Sequence, residues 1–329
     1  MIKKYPVSIA PMMDWTDRHY RFFMRQITKK TLLYTEMITM NAILNGNKNH
    51  LLDFSEIEKP LVIQLGGDNP QKLAECAKIC EDWNYDEINL NIGCPSERVQ
   101  NGNFGACLMT TPEVVAECVN EMKKNVKIPI TIKNRIGIDE KDSYEDLYNF
   151  IKIVSEAGCE KFIVHARSAI LKGLSPKENR TVPPLRYDYV YKIKKDFPNL
   201  IIEINGGIKT VEDIQNHLNY TDGVMIGREA YENPYVFSDF DKIFFDDDSK
   251  KLNRREIIEN LIPYVDNLTN SQIKANKLLV HLVNLFNHKQ GTKIWKRYLS
   301  ENMHKKEATS NILKELLLKL PDFVLDEYN

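Results

Sequence analysis

No apolar run in this chain approaches the length of a membrane span, and the opening MIKKYPVSIAPMMDW lacks the apolar stretch of a signal peptide. The cytoplasm is therefore the expected compartment. None of the six cysteines (Cys76, Cys80, Cys94, Cys107, Cys118, Cys159) forms a CxxC pair or a zinc-ligand spacing. With no secretory context, disulfides and a structural metal are not expected. Cys76 and Cys80, four residues apart in a helical pattern, read as packing. Charge of either sign is not in excess: 45 Lys and Arg stand against 46 Asp and Glu, a net of −1. The chain as a whole does not advertise nucleic-acid binding, so any basic surface must be local. Low-complexity segments are missing too, as is any repeat beyond a strand–helix period.

What remains is 329 residues of ordinary globular composition, enough for a barrel of about 250 residues and an appendage. Short β-rich runs recur at 8–13, 32–37, 60–67, 87–95, 128–137, 161–168, 200–207 and 223–228. Helical patterns separate them, such as 69–83, 111–125 with Thr111 as cap and Pro112 first, and 210–218 opening on Thr210. Strand–helix alternation predicts parallel strands with helical crossovers. An open doubly wound sheet can hold this many units. The count of eight and the late glycines favour a closed (β/α)8 TIM barrel, whose chemistry lies at the strands' C-terminal ends. The barrel is expected to span 1–240. FDKIFFDDDSKKLNRRE then reads as a charged linker, and 241–329 is expected to be that linker and a small helical domain.

INGGIKT (204–210) and MIGREA (225–230) end strands seven and eight. Their glycines let backbone N–H groups approach an anion, the helix from Thr210 aims its positive end there, and Arg228 adds a donor. That is the usual barrel site for phosphate, although two tight turns and a surface arginine would read the same way. Polar residues crowd the same strand ends: Gln64, Asn91, Lys133 and His165. A lysine inside a buried parallel strand is expensive unless it has a task or a partner. His165 alone is as well read as a satisfied core histidine. Cys94, in INLNIGCPS, is either a small apolar plug or a thiol held where a substrate arrives. A phosphorylated ring lying over the barrel mouth suits Lys133 and His165 as donors, which meets the needs of flavin mononucleotide. A Schiff-base lysine is the competing use of Lys133, and it leaves Cys94 without a task.

The stretches APMMDWTDRHYR (10–21), LNIGCPSERVQNGNFGACLM (90–109), HARSAILKGLSPKENR (165–180), INGGIKT and WKRYLSENM (295–303) together resemble the tRNA-dihydrouridine synthases. SPKENR points to the bacterial A-type branch. The resemblance implies an FMN-bound barrel with a helical RNA-binding tail that reduces the C5=C6 bond of D-loop uridines, near position 20, with NADPH as electron source. It implies Cys94 as proton donor. Pro11, Met12, Met13, Gln64, Lys133 and His165 would line the flavin, and Asn205, Gly206, Gly207, Gly227 and Arg228 would hold its phosphate end. Asn91, Lys177, Arg180, Lys293 and Lys296 would contact tRNA. Relatives often carry arginine at the last two positions; lysine neutralises phosphate but lacks the bidentate fork. A monomer is expected, with tRNA as partner and no metal.

On this reading a thiol of ordinary pKa, about 8.5, is mostly protonated at neutral pH and can act as an acid. The glycines of SERVQNGNFGA suggest that thiol delivery is gated by the following loop. The target base must leave its stack to be reached. The tail supplies phosphate contacts: Lys274, Lys277, Lys289, Lys293, Lys296, Arg297, Lys305 and Lys306 stand against only Glu301 in that interval. Trp295 and Tyr298, interleaved with them, read equally as an RNA-facing surface or as core. Two other functions fit less of the pattern: a flavin barrel reducing a free pyrimidine or small enone, and an RNA-binding protein that keeps flavin as a structural piece.

Overall fold

The computed structural model describes residues 5–100 and 102–328. Eight parallel strands are present: β1 (Val7–Ile9), β2 (Leu33–Thr39), β3 (Leu61–Gly66), β4 (Glu87–Ile92), β5 (Ile130–Arg135), β6 (Lys161–His165), β7 (Ile201–Asn205) and β8 (Gly223–Ile226). Each pairs with its sequence neighbour from β2 to β8, and β8 pairs with β1. The last seam closes through Leu32: Ile9 N donates to its carbonyl at 2.9 Å, and Leu32 N donates to Val7 O at 3.3 Å. The sheet is thus a (β/α)8 barrel, not an open doubly wound sheet.

Seven of the eight strands end earlier than sequence alternation suggests, whereas β2 runs two residues further, to Thr39. Gly93 and Cys94 leave the β4 ladder because their N–H groups bond the Asn91 side chain instead. Gly206 and Gly207 leave β7 with φ of 118° and 75°, values that side chains rarely adopt. The intervening helices follow their local signals. In Pro70–Asp82, Asn69 caps Lys72 N, proline takes the first turn, and Leu73, Ala74, Cys76, Ala77 and Cys80 are buried. The two cysteines are packing residues, as their spacing suggested. Val211–Leu218 opens with a reciprocal box in which Thr210 and Asp213 each bond the other's backbone. Thr111, by contrast, makes no side-chain cap; Pro112 alone starts the helix Pro112–Asn125.

The described residues fall into two compact units. One comprises residues up to 13, 32–54 and 59–227; the other comprises 14–31, 55–58 and 228 onward. The helix Arg18–Ile27, which alternation makes the barrel's first, belongs to the second unit. There Tyr20 donates to Ala230 O at 2.9 Å, Arg21 pairs with Glu58 at 2.8 Å, and His19 Nδ1 meets Tyr264 OH at 2.8 Å. The second unit is otherwise helical. Within the expected linker, Phe240–Phe245 is helix, and an Asn253–Glu256 capping box starts the long helix Arg254–Asn270. No helix among the described residues is long and apolar enough to cross a membrane.

Candidate active site at the C-terminal rim of the barrel

Register brings the polar strand-tip residues side by side. Asn91 of β4 faces Lys133 of β5; Arg135 of β5 faces His165 of β6; His165 faces Asn205 of β7. Lys133 Nζ donates to Asn205 Oδ1 at 3.3 Å, and Asn205 Nδ2 holds Met225 O at 2.7 Å. The His165 ring packs on Gly206, where an added Cβ would stand 2.6 Å from its Cδ2. At Gly227 an added Cβ would meet nothing within 4 Å, so the end of β8 borders open space. Tyr187 donates to Gly206 O at 2.7 Å and fixes that turn from outside.

The thiol turn is braced on every side. Asn91 Oδ1 accepts from Gly93 N at 3.1 Å and Cys94 N at 2.9 Å, while its Nδ2 donates to Gln64 Oε1 at 2.9 Å. Cys94 O accepts from Ala106 N at 2.9 Å. Cys94 Sγ lies 3.4 Å from Ser96 Oγ, and Cys94 itself is only partly buried. Gly105 makes this possible: with φ of 75°, it passes where an added Cβ would lie 2.7 Å from Cys94 O. The thiol is therefore no buried plug, unlike Cys76, Cys80, Cys118 and Cys159. Asn101, in the segment expected to gate the thiol, lies outside the described residues.

Burial, with the Arg135 cation beside it, pulls the Lys133 ammonium down to about 7. No carboxylate pairs with it among the described residues. Arg135, also lowered by burial, to about 10, stays charged at neutral pH. Pro11 and Met12 are half-buried where the chain leaves β1, and Met12 packs against Ala10, Leu32, Tyr34, Val62, Ile163 and Met225. Met13 is 52 % exposed. Arg228 begins the short helix Arg228–Glu232 directly after Gly227 and counts with the second unit. The capping box engages the Thr210 and Asp213 amides, so that helix end offers an anion less than its sequence suggested.

Lys177 and Arg180 are exposed on a turn tied down by buried Asn179, whose side chain bonds Ile170 N and O and Leu174 O at 2.7–3.2 Å. In the second unit, Lys293 is exposed at the start of the helix Thr292–Asn302, which no side chain caps. A cavity of 560 Å³ opens there, lined by His288 to Ile294. Lys296 Nζ donates to Asn287 at 3.2 Å. The basic run is less free than its count implied: Lys289 pairs with Glu327 at 3.0 Å and Arg297 with Glu301 at 2.8 Å. Trp295 is core, its Nε1 donating to Leu282 O at 2.8 Å.

Sequence reasoning passed over a polar chain that runs from the rim down the barrel interior. Gln64 Nε2 donates to Asn89 (2.8 Å), Asn89 to Thr131 (3.0 Å) and Thr131 to Glu87 (2.7 Å). The chain ends at Lys161, 3.3 Å from Glu87 and 2.9 Å from Glu203. The signal was a second lysine and a glutamate inside buried strands. Arg135 was also missed, because an arginine closing a strand looks like an ordinary surface residue. A separate cavity of 140 Å³, lined by Met109, Thr110, Lys141 and Asp146 among others, holds none of these rim residues. Among the described residues no cluster of three or more His, Cys, Asp or Glu could hold a metal.

The family model "Dihydrouridine synthase (Dus)" matches residues 8–320. A Synechocystis protein named tRNA-dihydrouridine(20/20a) synthase is 57 % identical over 95 % of this chain and 93 % of its own length. Proteins of the same name from Vibrio vulnificus and Escherichia coli are 52 % and 50 % identical, over 96 % and 97 % of this chain and 97 % and 96 % of theirs. Among solved structures, a 2-naphthoyl-CoA reductase complex aligns with a TM-score of 0.57 at 9 % identity. It covers 72 % of this chain and 50 % of the other, a likeness of fold alone.

Proposed function

The chain belongs to the dihydrouridine synthase family, and from that membership we propose that it reduces the C5=C6 bond of D-loop uridines in tRNA, at positions 20 and 20a. The product is 5,6-dihydrouridine. The observation that carries the reading is the joined rim: Lys133 on Asn205, His165 on Gly206, and Cys94 held by Asn91.

These residues fit FMN. Open space beside Gly227, the left-handed turn at Gly206 and Gly207, and a half-buried amine without a carboxylate partner suit a phosphate end and an electron-rich ring. FMN held there would supply hydride chemistry at uracil C6, with NADPH as its electron source. Lys133, His165 and Gln64 would donate to the ring's polar edge, and Pro11, Met12 and Met13 would cover it. Asn205, Gly206, Gly207, Gly227 and Arg228 would hold the phosphate end. An anionic ligand over Lys133 keeps its proton on, against the burial that otherwise removes it near pH 7.

Cys94 holds the second hydrogen as a proton and passes it to uracil C5; the thiolate left behind regains its proton from water. Asn91 has one N–H beyond its bond to Gln64, and it donates that to the uracil edge. Lys177 and Arg180 from the rim, with Lys293 and Lys296 from the tail of 241–329, neutralise RNA phosphates. Every residue invoked comes from one chain, so a monomer suffices, acting in the cytoplasm where tRNA is modified. No metal enters the scheme.

The test is spectroscopic. The purified protein should be yellow, bleach with NADPH, and regain its colour on adding tRNA that lacks dihydrouridine. Recolouring by free uridine but not by tRNA would instead favour a reductase of small pyrimidines; binding of tRNA without recolouring would favour a non-catalytic role.

A further inference from the structure

One guanidinium joins the thiol turn to the turn that carries Lys177 and Arg180. Arg135 is the last residue of β5 and only 3 % exposed. Its Nε donates to Gly93 O at 2.9 Å, and its Nη1 donates to Ser168 O and Asn179 O, each at 3.0 Å. Gly93 immediately precedes Cys94, and Asn179 immediately precedes Arg180. Asn179 is fully buried and closes its own turn through Ile170 and Leu174, so a pull on Arg180 is passed to the backbone that Arg135 grips. The planar fork is what allows this. It aims N–H groups in two directions at fixed angles, whereas a lysine ammonium carries three donors on one rotatable point and fixes no such angles. Three backbone carbonyls accept from this buried cation, and among the described residues no carboxylate pairs with it, so its charge holds geometry between two loops.

We propose that Arg135 is a positioning residue that couples RNA docking on the Lys177–Arg180 turn to the placement of the Cys94 thiol. The proposal rests on the reductase reading above. Reacting groups displaced by about 1 Å can lose on the order of a hundredfold in rate, so a braced turn that answers to the substrate has ample leverage.

The test uses Arg135→Gln and Arg135→Lys as flavin-loaded proteins, checked for unchanged flavin absorbance and thermal melting. With prereduced flavin, Arg135→Gln should slow uridine reduction by about ten- to a hundredfold, while KM for tRNA moves by less than about threefold. Arg135→Lys, which keeps charge but not the fork, should recover only part. In a double-mutant cycle, Arg180→Ala should raise KM for tRNA equally in both backgrounds, but should lower kcat clearly only where Arg135 is present. Lys293→Glu, in the tail, should multiply with Arg135→Gln. A second readout needs neither flavin nor RNA: Asn179→Ala should change the iodoacetamide labelling rate of the Cys94 peptide, and should add nothing once Arg135 is glutamine. Effects of Arg135→Gln and Arg180→Ala on kcat that simply multiply overturn the coupling, as does labelling of Cys94 that ignores Asn179→Ala. Native protein that reduces no tRNA uridine would end the reductase reading instead, and the labelling arm would still judge the clamp.

Discussion

Two lysines project from neighbouring strands of the same barrel, Lys161 from the start of β6 and Lys133 from within β5, and their surroundings are opposite. Lys161 is fully buried at the floor. Burial works against its charge, but Glu203 at 2.9 Å and Glu87 at 3.3 Å outweigh it and hold the ammonium well above the usual lysine range. Lys133, at the rim, has an amide oxygen for a partner, and burial leaves it near 7. At the floor the protein itself supplies the counter-charge. The rim is left for something else to satisfy. A charge balanced inside the fold serves the fold, whereas one held without a counter-charge, at the end where barrels place their chemistry, awaits a ligand.

The largest effect expected from this contrast is at the floor. Lys161→Met would leave Glu87 and Glu203 facing each other without a cation, and should cost about 3–5 kcal/mol in urea unfolding, the usual loss when one partner of a buried ion pair is removed. A loss below about 1 kcal/mol would mean that the floor is not held by charge. The smaller effect is at the rim and appears in the pH dependence of flavin-free protein. In the unfolded chain Lys133 keeps its proton up to about 10.5, while in the fold it loses it near 7. Between those values the unfolded state binds more protons, so stability should rise with pH across that window, and below it Lys133 adds no slope. Lys133→Met should flatten the rise in melting temperature. Lys161 has the opposite sign: its contribution is present at neutral pH and fades only as pH climbs past the ordinary lysine range. An unchanged slope in Lys133→Met would remove the rim amine from the contrast.

The same contrast explains what the sequence made legible. The eight strands announced themselves by alternation and the rim by polar residues at strand ends, because both are local patterns. Thr210 advertised its helix start through Asp213 three residues on. Long-range pairing leaves no such local trace. Lys161 and Glu203 sit 42 positions apart in sequence yet 2.9 Å apart in space, and Arg135 reaches carbonyls 42, 33 and 44 residues away. Lys289 looked free because its partner, Glu327, lies beyond the basic interval. Trp295 could be assigned to the core only once Leu282 was seen to accept its N–H. The helix Arg18–Ile27 follows β1 as a barrel helix would, and only its contacts with Glu58, Ala230 and Tyr264 assign it to the second unit.

The claim on which the functional account turns is that Cys94 is the rim's acid. Its most direct measurement is single turnover of Cys94→Ala, with flavin reduced beforehand and tRNA lacking dihydrouridine as acceptor. The variant should bind flavin as the native protein does and reduce uridine at least about a hundredfold more slowly, the lower range for a lost general acid. Flavin reoxidation by tRNA at the native rate would contradict it.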